Sequence, residues 1–243
     1  MHIIKLNATD STNTYLRQLS TSKALQDYTV VVADYQESGR GQMGTVWESE
    51  AGKNLMFSVF KDVSFLKVKS SFYISMVVAL AMVKTLRQFS VPKLFVKWPN
   101  DILSENNKIC GVLIENMLKV DRLKSSIIGI GLNVNQLNFE GLPRASSMKC
   151  ITGNHYDLDE LLLIFMQNLM HYFEILEKQE FKLLKTDYEA YLFRKDKPST
   201  FQDMEGQLFT GYIKQVKASG CLQVLLEDNK LCDFDLKEIT LLY

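Results

Sequence analysis

The segment from Gln36 to Trp47 combines closely spaced glycines with a single arginine. Glycines at 39, 41 and 44 let backbone N–H groups approach an anion closely, because no Cβ stands in the way. Arg40 offers a planar fork of donors to a phosphate or a carboxylate. This local chemistry suits an acyl phosphate. The alternative for any glycine-rich segment is a mobile surface turn.

The string Lys97-Trp98-Pro99-Asn100-Asp101 places a cation, an amide and a carboxylate at the junction of two predicted strands. Asp101 can hold Mg²⁺ against a triphosphate, and Asn100 can bond a sugar or phosphate oxygen. The alternative is a hairpin in which Trp98 packs inside and Asn100 shapes the turn. The string as a whole is more informative than its members.

A third candidate is Lys108, at the start of the run that ends at Glu115. A lysine there can neutralise charge on both partners of a carboxylate–phosphate reaction, and Gly111 leaves room for a ligand against the sheet. Gly111 and Leu113 share one face of a strand, whereas Lys108 nominally points to the other. If all three contact one ligand, Lys108 must lie in the turn or a bulge must intervene. The alternative is a solvated strand-end lysine.

Two further sets of residues can meet a ligand. Gly129, Gly131 and Asn133 lie on one face of a predicted strand, where they can make room for a nucleotide or else accept a neighbouring aromatic ring. Ser11-Thr12-Asn13, at a predicted helix start, offers two hydroxyls and one amide in consecutive positions. That set can bond a group with one carbonyl and two N–H donors, or it can simply cap the helix.

Composition excludes several classes of protein. Lys plus Arg and Asp plus Glu are both 28 in the 243 residues, so no net positive field attracts nucleic acid. The start of the chain resembles no targeting peptide, and no apolar run approaches the roughly 18 residues of a membrane span. The cysteines lack metal-site or disulfide spacing, which favours a reducing cytoplasm, and the histidines lack a triad partner. These residues are Cys110, Cys150, Cys221 and Cys232, and His2, His155 and His171.

The residue pattern predicts an α+β fold, with a mixed, mostly antiparallel sheet, helices on one face and a small β-barrel at the C-terminal end. Strands are predicted at 1–6, 29–35, 54–60, 94–98, 101–104, 108–117 and 123–134, and helices after Ser11 and at 68–89, 158–176 and 181–191. The pattern becomes wholly β after Lys197-Pro198. We therefore predict two domains, 1–195 and 196–243.

Taken in order, these motifs resemble those of biotin protein ligases. The motifs are Ser11-Thr12-Asn13, the glycine loop that ends at Trp47, Lys97–Asp101, Lys108–Glu115 and Gly129–Asn133. The resemblance implies a class II synthetase-like, biotin- and ATP-binding catalytic domain and an SH3-like C-terminal domain. Because the chain begins directly at the first of these motifs, we expect the monofunctional type, which lacks an N-terminal DNA-binding domain.

The resemblance implies an ATP-dependent ligase that activates biotin as biotinyl-5′-AMP, with Mg²⁺, and transfers it to a lysine of a biotin carboxyl carrier domain. It gives catalytic roles to Lys108 and Arg40, and a metal-binding role to Asp101. It assigns biotin binding to Ser11, Thr12, Asn13, Gln36, Gly39, Arg40, Gly41, Gln42, Lys108, Gly111, Leu113 and Gly131. It assigns ATP binding to Arg40, Trp47, Asn100, Asp101, Lys108 and Asn133.

The chain departs from the family at the loop, where Gln42, Met43 and Thr45 stand at positions that are commonly arginine in relatives. Lys53 or Lys97 can supply the missing positive charge. The tail, Glu238–Tyr243, also lacks an arginine that some relatives carry, which argues against a contribution of the tail to ATP binding.

Three other functions stay open at the level of sequence. A lipoate or octanoate protein ligase-type transferase has a related catalytic fold, a non-catalytic biotin-binding module would fit the arginine-poor loop, and a nucleic-acid regulator is disfavoured by the zero net charge. For the ligase we expect a cytoplasmic monomer or homodimer whose partner is the carrier domain, with no nucleic acid and no membrane.

Overall fold

The computed structural model describes residues 1–243, apart from the side chain of Met43. A seven-stranded sheet has the order β1-β2-β3-β7-β6-β5-β4. Only β1 and β2 pair in parallel, and the other neighbours are antiparallel. The mixed, mostly antiparallel sheet is therefore confirmed. Its strands are β1 (His2–Thr9), β2 (Thr29–Gln36), β3 (Leu55–Asp62), β4 (Leu94–Lys97), β5 (Asp101–Ser104), β6 (Asn107–Lys119) and β7 (Arg122–Leu132).

Helices cover both faces of this sheet. The helices are α1 (Thr12–Ser22), α2 (Phe72–Gln88), α3 (Met148–Thr152), α4 (Leu158–Glu177) and α5 (Phe181–Ala190). α2, α4 and α5 pack on one face, in the large apolar core. α1 lies on the opposite face, where Leu16 packs with Val31 and Ile127. The sequence predicted helices on one face only, and α1 is the exception. Its one buried leucine indicates a packing face much less clearly than the apolar stripes of α2 and α4 do.

α2 is apolar on nearly all sides because it lies at the centre of the core, between the sheet and α4. By length and composition alone, the segment Val68–Gln88 is long and apolar enough to cross a membrane, with a mean hydropathy of 1.3. The expectation that no apolar segment approaches that length was therefore wrong. However, 67% of that segment is buried inside the protein, as in the core helix of a globular domain.

The C-terminal region is a five-stranded antiparallel sheet of order β11-β10-β9-β8-β12. Its strands are β8 (Pro198–Asp203), β9 (Leu208–Val216), β10 (Leu222–Leu226), β11 (Leu231–Phe234) and β12 (Ile239–Leu242). Buried side chains such as Phe201 and Val224 join the same apolar core as α2 and α5. The indole of Trp98 also donates a 2.8 Å hydrogen bond to the carbonyl of Gly220. The predicted β tail is thus present, and it packs against the main sheet.

α3 is an element that the sequence pattern did not predict. It has five residues, too few to show a helical period. The Ser147 hydroxyl caps it by accepting a hydrogen bond from the backbone N–H of Cys150 at 3.1 Å. α3 lies against the end of β7, because the N–H of Met148 donates to the carbonyl of Asn133.

Candidate active site

A cavity of about 400 Å³ lies on the α1 face of the main sheet. It is enclosed by the start of α1, the loop after β2, the strands β6 and β7, the turn between β4 and β5, and part of the C-terminal sheet. It brings together most of the residues that the sequence singled out. These are Ser11, Thr12, Asn13, Gln36, Arg40, Gly41, Gln42, Trp47, Asn100, Asp101, Lys108, Gly111, Leu113 and Gly131.

One end of the cavity is a network of neutral polar side chains around Thr12 and Asn13. The Ser58 hydroxyl lies 2.7 Å from Thr12 Oγ1 and 2.5 Å from Asn13 Oδ1. Gln36 Oε1 accepts from the Thr12 N–H at 2.8 Å. Ser11 is the N-cap residue of α1, but its side chain makes no capping hydrogen bond. The set therefore does more than cap the helix, because mutual bonds fix its buried donors and acceptors at the cavity wall.

Two glycines of β7 are needed because other side chains occupy the space beside them. A Cβ on Gly129 would lie 2.2 Å from Asn13 Oδ1, and one on Gly131 would lie 2.4 Å from Cε2 of the Trp47 ring. Gly131 thus accepts a neighbouring aromatic, which is one of the two alternatives for this strand. Gly111 on β6 lies under the same ring, since a Cβ built on it would lie 3.0 Å from Trp47 Cζ3. Trp47 therefore packs flat against the sheet over two glycines.

Lys108 reaches the cavity through a β-bulge. The register between β5 and β6 shifts, so that Ile102 pairs with Cys110 but Leu103 pairs with Lys108. This extra residue turns the Lys108 side chain onto the face of Gly111, where Nζ comes within 3.3 Å of a Cβ built on that glycine. Of the two alternatives that strand parity left for Lys108, a position in the turn or a bulge, the structure has the bulge.

The far end of the cavity carries more positive than negative charge. Asp101 pairs with Lys108 at 2.7 Å and with Lys97 at 3.9 Å. Burial lowers the pKa of Lys97, and the nearby Lys108 and Arg144 lower it further, against the opposing effect of Asp101. One carboxylate thus faces several cations in a partly buried place, an arrangement that suits an anionic ligand.

The loop after β2 is closed over the sheet by its own hydrogen bonds and by Glu115. The Trp47 N–H donates to the Gly39 carbonyl at 2.9 Å. Arg40 pairs with Glu115 at 3.3 Å, and Glu115 also pairs with Arg17 at 2.5 Å and accepts from the Asn13 amide at 3.0 Å. Glu115 was missed as a site residue, although strand parity places it on the same face as Gly111.

Two of the predicted site residues do not line the cavity. Gly39 is buried within the loop, where a Cβ would lie 2.3 Å from the carbonyl oxygen of Trp47. Asn133 is buried beyond the end of β7, and its amide donates to the Ser146 carbonyl at 2.9 Å. Gly39 therefore shapes the loop, and the predicted contact of Asn133 with ATP stays a prediction.

Several cavity residues were not assigned to biotin or ATP from the sequence, although the Lys97–Asp101 string was singled out and Lys97 was considered as a source of positive charge. Lys97, Trp98 and Pro99 line it from the β4–β5 turn, and Thr45 and Val46 from the loop. The C-terminal region adds Leu236, Ile239, Thr240 and Leu241. The last strand of the tail thus forms part of the cavity wall, and the expectation that the tail does not contribute to ATP binding stays a prediction.

The structure also shows where Gln42 and Thr45 lie, at two of the loop positions that are commonly arginine in relatives. Gln42 lines the cavity, and the Thr45 hydroxyl donates to the Gln42 carbonyl at 2.8 Å. The side chain of Met43 lies outside the described residues. Of the two lysines considered as substitutes for the missing charge, Lys97 lines the cavity, whereas Lys53 is exposed and is not among the lining residues.

Within the residues that the structure describes, no group of three or more His, Cys, Asp or Glu side chains is close enough to hold a metal ion. Asp101 is the one carboxylate among the residues that line the cavity. A single carboxylate fits Mg²⁺ when water and the phosphates of a nucleotide complete its coordination shell. The donors present therefore suit a metal that enters bound to a nucleotide.

The sequence is similar to a known protein family and to characterised members of it. The sequence model of the biotin/lipoate A/B protein ligase family matches residues 6–133. The bifunctional ligase/repressor BirA of Bacillus subtilis is 36% identical over 137 residues, which are 56% of this chain and 41% of that protein. A biotin–[acetyl-CoA-carboxylase] ligase of Mycobacterium tuberculosis is 32% identical over 58% of this chain and 52% of its own length.

A solved structure is similar over the whole chain. The biotin protein ligase of Aquifex aeolicus, in complex with biotin and ATP, has a TM-score of 0.84 and 26% sequence identity, and the match covers 99% of this chain and 98% of that one. By contrast, the matched region is only 41% of the Bacillus relative and 52% of the Mycobacterium relative. Because the family model covers more than half of the residues, the chain belongs to the biotin/lipoate A/B protein ligase family.

Proposed function

We propose that this protein activates biotin with ATP and transfers it to a lysine of a biotin carboxyl carrier domain. The observation that carries the proposal is one cavity with a neutral hydrogen-bonding end and a cationic end, about 400 Å³ in volume. That volume is in the usual range for small-molecule sites. The Aquifex relative, which shares the fold, was solved with biotin and ATP bound.

The neutral end suits the ureido ring of biotin, which presents one carbonyl acceptor and two N–H donors. Thr12 and Asn13 offer a hydroxyl and an amide, and Gln36 offers a second amide. These groups already bond to one another and to Ser58, so they are held in place before a ligand arrives. Preorganised neutral donors favour a neutral polar head over the apolar, sulfur-containing ring of lipoate.

In the first step, a carboxylate oxygen of biotin attacks the α-phosphorus of ATP. The bond from that phosphorus to the bridging oxygen breaks, and pyrophosphate leaves with the electron pair. Both reactants are anions and no proton is transferred, so the protein needs to position them and neutralise charge rather than supply a base. Lys108 lines the cavity and can exchange its bond to Asp101 for phosphate and carboxylate oxygens.

Magnesium enters this scheme as part of the nucleotide substrate. Asp101 would hold the ion together with phosphate oxygens, and the ion would neutralise charge on the triphosphate. Lys97, which pairs with Asp101 at 3.9 Å, adds positive charge at the same end of the cavity.

In the second step, the amine of the acceptor lysine attacks the carbonyl carbon of the mixed anhydride. The bond from that carbon to the phosphate oxygen breaks, AMP leaves with the electron pair, and the nitrogen of the new amide loses one proton to solvent. The closed loop, held by the Trp47–Gly39 hydrogen bond and the Arg40–Glu115 ion pair, covers the reacting groups and would keep water from the anhydride. We place the reaction in the cytoplasm, where a carrier domain and ATP are both available.

The test is pyrophosphate release by the purified protein with Mg-ATP and either biotin or lipoate, followed by labelling of a carrier domain. We expect release with biotin and a covalent biotin label that depends on ATP. Release with lipoate and none with biotin would show a lipoate-type transferase. Biotin binding without pyrophosphate release or label would show a non-catalytic binding module.

A further inference from the structure

Two cations share one aromatic ring at the edge of the cavity. The guanidinium carbon of Arg144 lies 4.2 Å from the centroid of the Tyr243 ring, and Lys97 Nζ lies 5.2 Å from the same centroid. The ring itself packs edge-to-face on Phe193, with centroids 5.1 Å apart. An aromatic face attracts cations, so Tyr243 holds an otherwise exposed arginine in a defined place.

The backbone of Arg144 is also next to that of Lys108. The backbone N–H of Lys108 donates to the Arg144 carbonyl at 2.7 Å, and Lys108 forms an isolated β-bridge with Ala145. The strand that precedes Tyr243 also contributes Thr240 and Leu241 to the cavity wall. The Arg144 backbone is therefore fixed to the residue that carries the central cation of the site.

The charges at this edge do not balance. Asp101 already pairs with Lys97 and Lys108. In the part of the chain that the structure describes, no carboxylate lies within 4.0 Å of the Arg144 guanidinium. The proximity of Arg144 also contributes to the lowered pKa of Lys97. Arg144 therefore adds a third positive charge close to Lys97, whose carboxylate partner Asp101 is already shared with Lys108. Such an excess of positive charge favours an anion that carries several charges.

We infer that Arg144, held on the Tyr243 ring, binds the β- and γ-phosphates of ATP and so the pyrophosphate that leaves. This inference rests on the proposed function. Lys108 lies beside Gly111 in the cavity wall, where it would face the reacting carboxylate and α-phosphate. Arg144 is exposed and is not a lining residue, but it shares the Tyr243 ring with Lys97, which does line the cavity. A planar guanidinium matches phosphate oxygens in pairs, which suits the outer phosphates of a triphosphate.

The test is the Arg144→Ala variant, with the two half-reactions measured separately. We expect the KM for ATP to rise about tenfold, as for the loss of one charge-assisted hydrogen bond, while the KM for biotin stays unchanged. Transfer of biotin from preformed biotinyl-5′-AMP to a carrier domain should keep its rate, because that intermediate has no β- or γ-phosphate. Arg144→Lys should recover part of the ATP affinity.

Two further variants make the comparison specific. Tyr243→Leu keeps an apolar contact with Phe193 but removes the ring face, so we expect a smaller rise in the KM for ATP, about threefold. Arg122→Ala changes an exposed arginine at the β6–β7 hairpin, where it pairs with Lys119 at the opposite end of β7 from the cavity residue Gly131, and it should leave both half-reactions unchanged.

An unchanged KM for ATP in Arg144→Ala would overturn the inference. Equal losses in both half-reactions, with a lower melting temperature, would also overturn it, because Arg144 would then only join the tail to the main sheet. If the wild-type protein released no pyrophosphate with biotin, the proposed function itself would fail. That outcome is seen before any variant is made, so the two failures are distinguishable.

Discussion

Gly129→Ala is the substitution for which the structure gives the sharpest expectation. The new Cβ would lie 2.2 Å from Asn13 Oδ1, whereas ordinary contact begins at 3.4 Å. Asn13 is 3% exposed and is held by Ser58 and Glu115, so its amide cannot swing into solvent without breaking these bonds. The amide must therefore move by about 1 Å, and the network at the neutral end of the cavity is lost.

The expected size follows from the bonds that break. Each lost hydrogen bond costs about 1 kcal/mol, and overpacking of this kind costs about 1–3 kcal/mol of folding stability. If two of the bonds that orient the amide toward biotin are lost, binding weakens by about 2 kcal/mol, which is about 30-fold in the dissociation constant. The assay is calorimetric titration with biotin in the absence of ATP, with a thermal melt to confirm that the variant is folded.

Gly131→Ala is the matched control on the same strand and the same face. Its Cβ would lie 2.4 Å from the Trp47 ring, so the clash falls on that ring and the network around Asn13 would stay intact. We expect biotin affinity within about threefold of the wild type, because no polar contact to the neutral end is lost. If Gly129→Ala is folded and binds biotin as tightly as the wild type, the neutral end of the cavity does not hold the biotin head.

Three further predictions concern Lys108, Tyr28 and Lys61. Lys108→Ala should reduce the rate of biotin-dependent pyrophosphate release by about 10²–10³-fold with an unchanged melting temperature, and full activity would remove Lys108 from the mechanism. Burial raises the pKa of Tyr28 to about 12. The unfolded chain loses the phenol proton from about pH 10, whereas the folded protein keeps it, so the free energy of unfolding should fall as the pH rises from about 10 to about 12. Because Tyr28 is only partly buried, we expect a fall of about 1–2 kcal/mol relative to Tyr28→Phe in urea denaturation, and parallel pH curves would contradict the assignment. The side chain of Lys61 is 3% exposed and pairs with Asp27 at 2.6 Å and with Glu177 at 3.0 Å. Lys61→Met should lower the free energy of unfolding by about 1–2 kcal/mol in the same assay, a modest loss because both carboxylates stay partly hydrated. A gain in stability would show that the ion pairs do not offset the cost of burying the lysine.

Much of the fold was available from the sequence because its signals are local. The apolar stripes of α2 and α4 and the β-branched run of β2 predict helices and a strand with nearly the observed bounds. α3 could not be predicted, because five residues show no period. The position of α1 on the second face was also beyond the sequence, because side-chain patterns identify an apolar face but not the surface that it packs against.

For the site, the sequence determined which residues are chemically able to act. The glycine loop, Lys97–Asp101 and Lys108 are recognisable because their spacing is short and their residue types are unusual together. Strand parity also showed that Lys108 reaches the face of Gly111 only from the turn or through a bulge, and the structure has the bulge.

The tertiary structure alone decided which distant residues join them. Arg40 pairs with Glu115. The ring of Tyr243 contacts Arg144, whose backbone is bonded to Lys108, although Tyr243 and Lys108 are more than one hundred residues apart in the sequence. No local pattern encodes such contacts, because they depend on how the C-terminal sheet and the loop pack against the main sheet. Long-range packing also assigned Trp47 to the space over Gly111 and Gly131, and it placed Asn133 outside the cavity that its strand position had suggested.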